Sequence, residues 1–129
     1  MKRVVALALV LAAACTDSGP VANIAGTWRL RTIDGQQLPQ AFDAASVVHE
    51  EVLEIESDGG YRQRQTRSMS VTPSTQIHGE VRGIWMLKRS EVTFASVAAV
   101  ADVSFTAQWS GANQLRRVRQ GAEWIYTRD

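Results

Sequence analysis

Cysteine occurs once in this 129-residue chain, at Cys15, so no disulfide can form within it. Histidine is nearly as scarce. His49 and His78 are the only two, and without a second cysteine or a His/Asp/Glu cluster at ligand spacing the sequence offers no metal site of the zinc type. No cofactor motif is present either. No Gly-X-Ser-X-Gly elbow accompanies a histidine. Asp58-Gly59-Gly60, the nearest approach to a phosphate loop, is followed by no helical pattern and reads as a hairpin turn. An excess of one charge is also missing, with 14 Lys and Arg against 13 Asp and Glu. Nucleic-acid binding needs a basic stripe or a basic excess, so a nucleic-acid partner is not expected. Finally, there is no long hydrophobic run and no convincing long helical period. The one apolar stretch, residues 4–11, is too short to span a bilayer.

That stretch has another use. Lys2 and Arg3 precede it and the small residues Ala12, Ala13 and Ala14 follow it, which is the order of a secretory leader. Residues 1–14 are therefore expected to be removed. Loss of Lys2 and Arg3 takes the 14 basic side chains to 12, against 13 acidic ones, and leaves near-neutrality intact. Residues 16–23 contain Asp17, Ser18, Gly19 and Pro20 and no apolar period, so they read as a tether. Residues 24–129 then form one domain. About 100 residues suffice to bury most of a chain's surface without disulfides.

The domain reads as short strands between turn signals. In the first, Trp28, Leu30 and Thr32 fall on one side and Thr27, Arg29 and Arg31 on the other, the two-residue alternation of a half-buried strand. Asp34-Gly35 ends it, because glycine tolerates positive φ and aspartate can bond its own backbone. Pro39 prevents continuation as an interior strand. Residues 36–46 form a longer connection, with one helical turn available at Phe42-Asp43-Ala44-Ala45. The second strand spans 47–55, with Val47, His49, Glu51, Leu53 and Ile55 on one face and Glu50 and Glu54 on the other. The third is 61–69. Thr72-Pro73-Ser74 breaks the chain before the fourth, 76–87, which has possible bends at Gly79 and Gly83. The remaining strands are 91–96, 102–109, 114–119 and 123–128. Eight strands at this spacing suit an all-β, eight-stranded antiparallel up-and-down barrel, which removes exposed sheet edges. A sandwich of the same strands is the alternative. At eight strands a barrel interior either fills with side chains or keeps space for one small ligand.

Gly26-Thr27-Trp28 at the head of the domain resembles the Gly-X-Trp signature of lipocalins. The longer pattern, with Leu30, Asp34-Gly35 and Leu38-Pro39 after it, is similar to the lipocalin-like domains of small bacterial envelope lipoproteins. The run 11–15, Leu-Ala-Ala-Ala-Cys, likewise resembles a lipobox, although Ala12 stands where leucine is commonest, so an ordinary leader cut stays open. The resemblance implies that Cys15 is acylated. Each buried CH₂ contributes about 0.8 kcal/mol, and more than one acyl chain anchors stably, so the membrane is the expected partner. Thr16 after the cysteine favours the outer membrane of the bacterial cell envelope by the same resemblance. Lipocalins lay an Arg or Lys across the signature tryptophan. With the last strand beside the first, Arg128 is the candidate to cover Trp28, and Arg117 and Arg119 stand behind it. Gly26, Trp28 and Arg128 are then a structural signature rather than a site.

The expected function is that of a non-enzymatic lipoprotein whose barrel takes a small apolar or amphipathic ligand. The alternative is an interaction or inhibitor module of the periplasm acting through its loops. Leu30, Leu53, Tyr61, Gln63, Trp85, Phe94, Phe105 and Trp109 are the candidate ligand-binding wall, a mostly apolar lining with few polar groups. The same residues also suit a filled core. Residues 36–46 would cross the mouth as a lid. His49 with Glu51 is the one pair arranged like a general base and its orienter, and a polar rim at the wet end of a strand is the favoured explanation of it. Alternation separates Arg62 and Arg64 from Tyr61, Gln63 and Gln65. With the tyrosine side inward, those arginines are solvated; with the arginine side inward, they would grip a carboxylate or phosphate. Arg67, and the cluster Arg116, Arg117 and Arg119, complete the basic side chains of interest.

Overall fold

A computed structural model describes residues 24–97, 104–110 and 113–129. The expected leader (1–14), Cys15, the tether (16–23), Asp102 and Val103 of the predicted sixth strand, and Gly111-Ala112 of the turn after it lie outside the described residues. Among the described residues the chain is strand, turns and bends, save for Ile24, which is helical. The strands are β1 (Gly26–Ile33), β2 (Gln36–Gln37), β3 (Gln40–Ala41), β4 (Ser46–Ile55), β5 (Gly60–Met69), β6 (Thr72–Lys88), β7 (Glu91–Ser96), β8 (Phe105–Trp109), β9 (Gln114–Arg119) and β10 (Ala122–Arg128).

From β4 to β10 each strand pairs with the next, antiparallel throughout. Closure is made by β1. One edge carries β10, with Trp28 opposite Arg128 and Ile33 opposite Trp124. The other carries β4, with Gly26 opposite Ile55 and Arg29 opposite Val52. Eight strands thus shut into an up-and-down barrel. The short strands β2 and β3 are additions inside the 36–46 connection, where they pair with β1 and β4.

Turn chemistry acts where expected. Asp34 and Gly35 have φ of 50° and 76°, positive at both central positions, as a tight two-residue hairpin requires. Asp34 also ties the turn to β10: its amide donates to Glu123 O and its carboxylate accepts from Glu123 N, both at 2.7 Å.

Alternation differs from the expectation in two strands, and the cause is the same in both. In β1 the register with β10 skips Arg31, a bulge that turns Ile33, 2 % exposed, into the core in place of Thr32. In β4 the register with β5 skips His49. Val48 before the bulge is buried, and Glu51, Leu53 and Ile55 are buried after it, so Val47 and His49 do not share the inward face with Glu51. One extra residue in a period of two exchanges the faces beyond it.

Two boundaries also differ. The predicted helical turn at 42–45 is absent. Asp43 Oδ1 accepts the amides of Ala45 and Ser46 at 2.7 and 2.8 Å, giving those donors a local acceptor in place of a helical carbonyl. The fourth strand starts at Thr72 rather than 76, the tight turn being Ser70-Val71. Pro73 is tolerated because it falls in an irregularity: Thr72 faces Met69, the next paired residue is Gln76 opposite Ser68, and nothing between them pairs.

Side chains from all around the barrel fill its lower part. Trp28, Leu53, Phe94, Leu115, Trp124 and Tyr126 are fully buried. Where β6 curls over this core, Gly83 is opposite Tyr61 and Ser96. A Cβ there would lie 2.0 Å from Ala95 O and 2.8 Å from Tyr61 Cε1. Gly83→Ala is therefore expected to cost about 2–3 kcal/mol, as overpacking does. Denaturant unfolding measures it, and a loss below about 0.5 kcal/mol would refute the close approach.

Candidate functional site

The candidate signature residues meet at the β1–β10 seam. The Arg128 guanidinium lies 4.6 Å from the centre of the Trp28 ring. Gly26, at φ 145°, lies beside the Arg128 stem, whose Cδ would be in ordinary van der Waals contact, at 3.5 Å, with a Cβ at that position. The Trp28 Nε1 donates to Ile24 O at 2.9 Å. This cluster ties β1 to β10, with Trp28 fully buried beside the half-buried Arg128.

Most of the candidate pocket wall is core. Leu53 and Phe94 are fully buried, and Leu30, Tyr61 and Trp85 nearly so. Trp85 donates its Nε1 to Glu56 O at 2.8 Å. Phe94 stacks on Phe105 at 4.6 Å and meets Tyr61 edge-on at 5.0 Å. Phe105 and Trp109 pack half-buried against the same core. Gln63 alone of the eight lines the interior cavity.

That cavity, about 400 Å³, is bounded by Gln63, Gln65 and Arg67 of β5, by Gly79, Glu80 and Val81 of β6, by Ser104, and by Arg117 and Arg119 of β9. Its wall is polar and cationic. Tyr61, Gln63, Gln65 and Arg67 are two apart on β5, so the inward side that takes the tyrosine takes Arg67 as well. Arg62 and Arg64 go to the outer face, where they bond Glu54 and, for Arg62, Glu80. Strand β9 turns Leu115, Arg117 and Arg119 to the inside. Arg117 is 9 % exposed, whereas Val118 is 57 % exposed.

Aromatic rings support the inward arginines. Arg117 sits 3.8 Å over the Phe105 ring and 5.7 Å from Trp124, while Arg119 lies 4.8 Å over Phe42 and 5.3 Å from Trp124. Neither reaches Trp28. Phe42, delivered by the 36–46 connection, packs edge-on against Trp124 at 6.0 Å, so the expected lid is in contact with the end of the barrel that holds Arg119. Burial and the charges of Arg117 and Arg67 push the Arg119 guanidinium below its ordinary range, and Glu51 and Tyr126 oppose them.

Next to the arginines is the one fully buried carboxylate of the described residues, Glu51. Its Oε1 accepts from Gln63 Nε2 at 3.0 Å and from Gln65 Nε2 at 2.8 Å, and its Oε2 accepts the Tyr126 hydroxyl. His49 is bonded elsewhere, its Nε2 being 2.8 Å from Ser68 Oγ. The two residues therefore do not bond each other as a base and its orienter. His78 is on the outer face, with Nδ1 3.0 Å from Thr66 Oγ1. Among the described residues no group of three or more His, Cys, Asp or Glu gathers as a metal site.

Both tyrosines of the chain, Tyr61 and Tyr126, are held above the ordinary phenol range. Burial is the main cause at Tyr61, opposed by Arg117. At Tyr126 burial again leads and the Glu51 carboxylate adds to it, while Arg117 opposes both by its charge and by a hydrogen bond. A pKa raised on folding means that the folded protein keeps protons the unfolded chain releases. Stability is therefore fully present below pH 10.0, the ordinary phenol value, and is lost as pH rises through the folded values. In an alkaline titration, tyrosinate absorbance is expected to appear together with loss of β-sheet circular dichroism. Tyrosinate formed at pH 10 in a fully folded protein would contradict this.

The barrel has structural counterparts. A lipocalin-like protein from Bacteroides uniformis superposes with a TM-score of 0.52 at 16% identity, over 83% of this chain and 99% of that one. An uncharacterized protein from Bacteroides eggerthii superposes at 0.50 and 12% identity, over 81% of this chain and 98% of the other. No protein-family model and no curated protein sequence matches the chain. At such identities the likeness establishes a lipocalin-like fold.

Proposed function

We propose that the chain, a lipocalin-like barrel with an interior cavity, is a non-enzymatic lipoprotein of the bacterial cell envelope that binds a small molecule inside its barrel. In this reading residues 1–14 are a leader, and an acylated Cys15 holds the domain on the membrane, by its following residue the outer one. The observation that carries the binding role is the cavity of about 400 Å³ between β5, β6 and β9, within the size range of small-molecule pockets. Its support from fold is the superposition on a lipocalin-like protein.

Two probes that share an aromatic body test the reading, the anionic 8-anilinonaphthalene-1-sulfonate and the neutral N-phenyl-1-naphthylamine. Enhanced, saturable fluorescence of at least one with the folded domain is expected. No enhancement with either would remove the binding role and leave the fold alone.

A further inference from the structure

The proposed binding role says nothing of ligand chemistry; the inside of the barrel does. We infer that the cavity is an anion site, which takes the carboxylate or phosphate group of a compact organic molecule on Arg67, Arg117 and Arg119. The inference rests on the binding role and narrows it to a ligand class.

Three observations converge. The first is cost. Guanidiniums are almost never buried without a partner, yet β9 turns Arg117 and Arg119 inward while its apolar Val118 is left outside, 57 % exposed. Leu115, fully buried, sets that face of the strand inward and carries the two arginines in with it. Second, these charges are answered only in part from within, by the single carboxylate of Glu51. Arg29, Arg31, Arg62, Arg64, Arg82 and Arg116 are ion-paired, whereas among the described residues Arg67, Arg117 and Arg119 are in no ion pair. The one buried carboxylate nearby, Glu51, accepts from Tyr126, Gln63 and Gln65 and makes no ion pair with the three arginines, so one negative charge stands against three positive ones. Glu80, the other acid on the wall, is held by Arg82 at 2.6 Å and Arg62 at 3.6 Å. Third, the Nη1 of Arg117 is buried with no hydrogen-bond partner, although the residue is nine-tenths buried. A buried donor left empty is costly, and an oxyanion would satisfy it.

The aromatic rings explain why the charges stay poised. Phe105 lies under Arg117 and Phe42 under Arg119, contacts that hold each guanidinium in place. Edge-on donation is the geometry that grips carboxylate and phosphate. The depth of the barrel limits the ligand. Below the arginines, Phe94, Leu115 and Tyr126 are fully buried, so a long acyl chain has no bed there and the body of the ligand must be compact.

The two naphthalene probes separate this inference from the binding role. The sulfonate probe is expected to bind at least ten-fold more tightly than its neutral analogue. Arg119→Gln and Arg67→Gln should each weaken it about ten-fold without changing the neutral probe, and Arg64→Gln on the outer face should change neither. Arg117→Gln should do the same as Arg119→Gln, but the less buried Arg67 and Arg119 keep the test decisive if that variant fails to fold. Displacement by benzoate and by phenyl phosphate, but not by benzyl alcohol, assigns the recognised group to carboxylate, phosphate or both; displacement by inorganic phosphate alone assigns a free anion. Equal binding of the two probes, or sulfonate binding indifferent to Arg67 and Arg119, would overturn the anion site and leave the binding role standing. Failure of both probes would sink both.

Discussion

Trp28→Ala is expected to lower stability by about 4 kcal/mol, within the range for truncating a buried aromatic. Three losses coincide at this position. The fully buried indole vacates the centre of the seam, where β1 meets both β10 and β4. Its Nε1 bond to Ile24 O goes with it, so the backbone leading into the barrel loses its tie. The Arg128 guanidinium, now 4.6 Å from the ring centre, loses the face it rests on, a contact worth roughly 0.5–2 kcal/mol. Single domains have only about 5–15 kcal/mol in reserve, so the variant should unfold at markedly lower denaturant concentration. Trp28→Phe separates the contributions, because it keeps an aromatic face under Arg128 and deletes the N–H; about half the loss is expected. If Trp28→Ala costs less than about 1 kcal/mol, the seam does not depend on this residue.

Glu51→Ala is the second large effect, and its cause is polar. Removing the carboxylate strands the hydroxyl of Tyr126 and the amides of Gln63 and Gln65. Each unsatisfied buried donor costs about 1–3 kcal/mol, and breaking a buried charged network by deleting one member typically costs 3–5 kcal/mol. A loss of about 4 kcal/mol in equilibrium unfolding is therefore expected. Glu51→Gln keeps the shape and one acceptor and should lose less than half as much. It carries a second readout. The Glu51 carboxylate raises the Tyr126 pKa both by its charge and by its hydrogen bond, so in Glu51→Gln tyrosine ionisation should begin at lower pH than in the parent. An unchanged ionisation profile would separate Tyr126 from Glu51. If the cavity is an anion site, the same variant binds the sulfonate probe more tightly, since a negative charge beside the arginines is gone.

Strand number, direction and most boundaries were legible in the residues. Val103 apart, the inward residues Phe105, Ala107 and Trp109 of β8 alternate as the composition shows, and Gln120-Gly121, with φ of 51° and 77°, turn β9 into β10 as their type suggests. The polar interior was only half legible. The two-residue period already joins Arg67 to Tyr61, Gln63 and Gln65, and joins Arg117 and Arg119 to Leu115. Arg67 lies close in sequence to Arg62 and Arg64 but at odd spacing from both, which puts it on the other face; Arg117 and Arg119 meet Phe105, Phe42 and Trp124 rather than Trp28. Which of two alternating faces turns inward depends on the neighbouring strand, and a lone strand such as 114–119 presents Arg116 and Val118 as readily as Arg117.

By itself, then, the sequence determined an all-β chain of eight main strands, with its turns at Asp34-Gly35 and Gln120-Gly121, because alternation and turn preference are properties of neighbours along the chain. Only the tertiary structure decided that Arg31 and His49 are bulges, that Glu51 meets Tyr126 across 75 positions of sequence, and that three arginines face one cavity. Register is set between strands, where one extra residue exchanges inside for outside, and no local pattern records where that residue will fall.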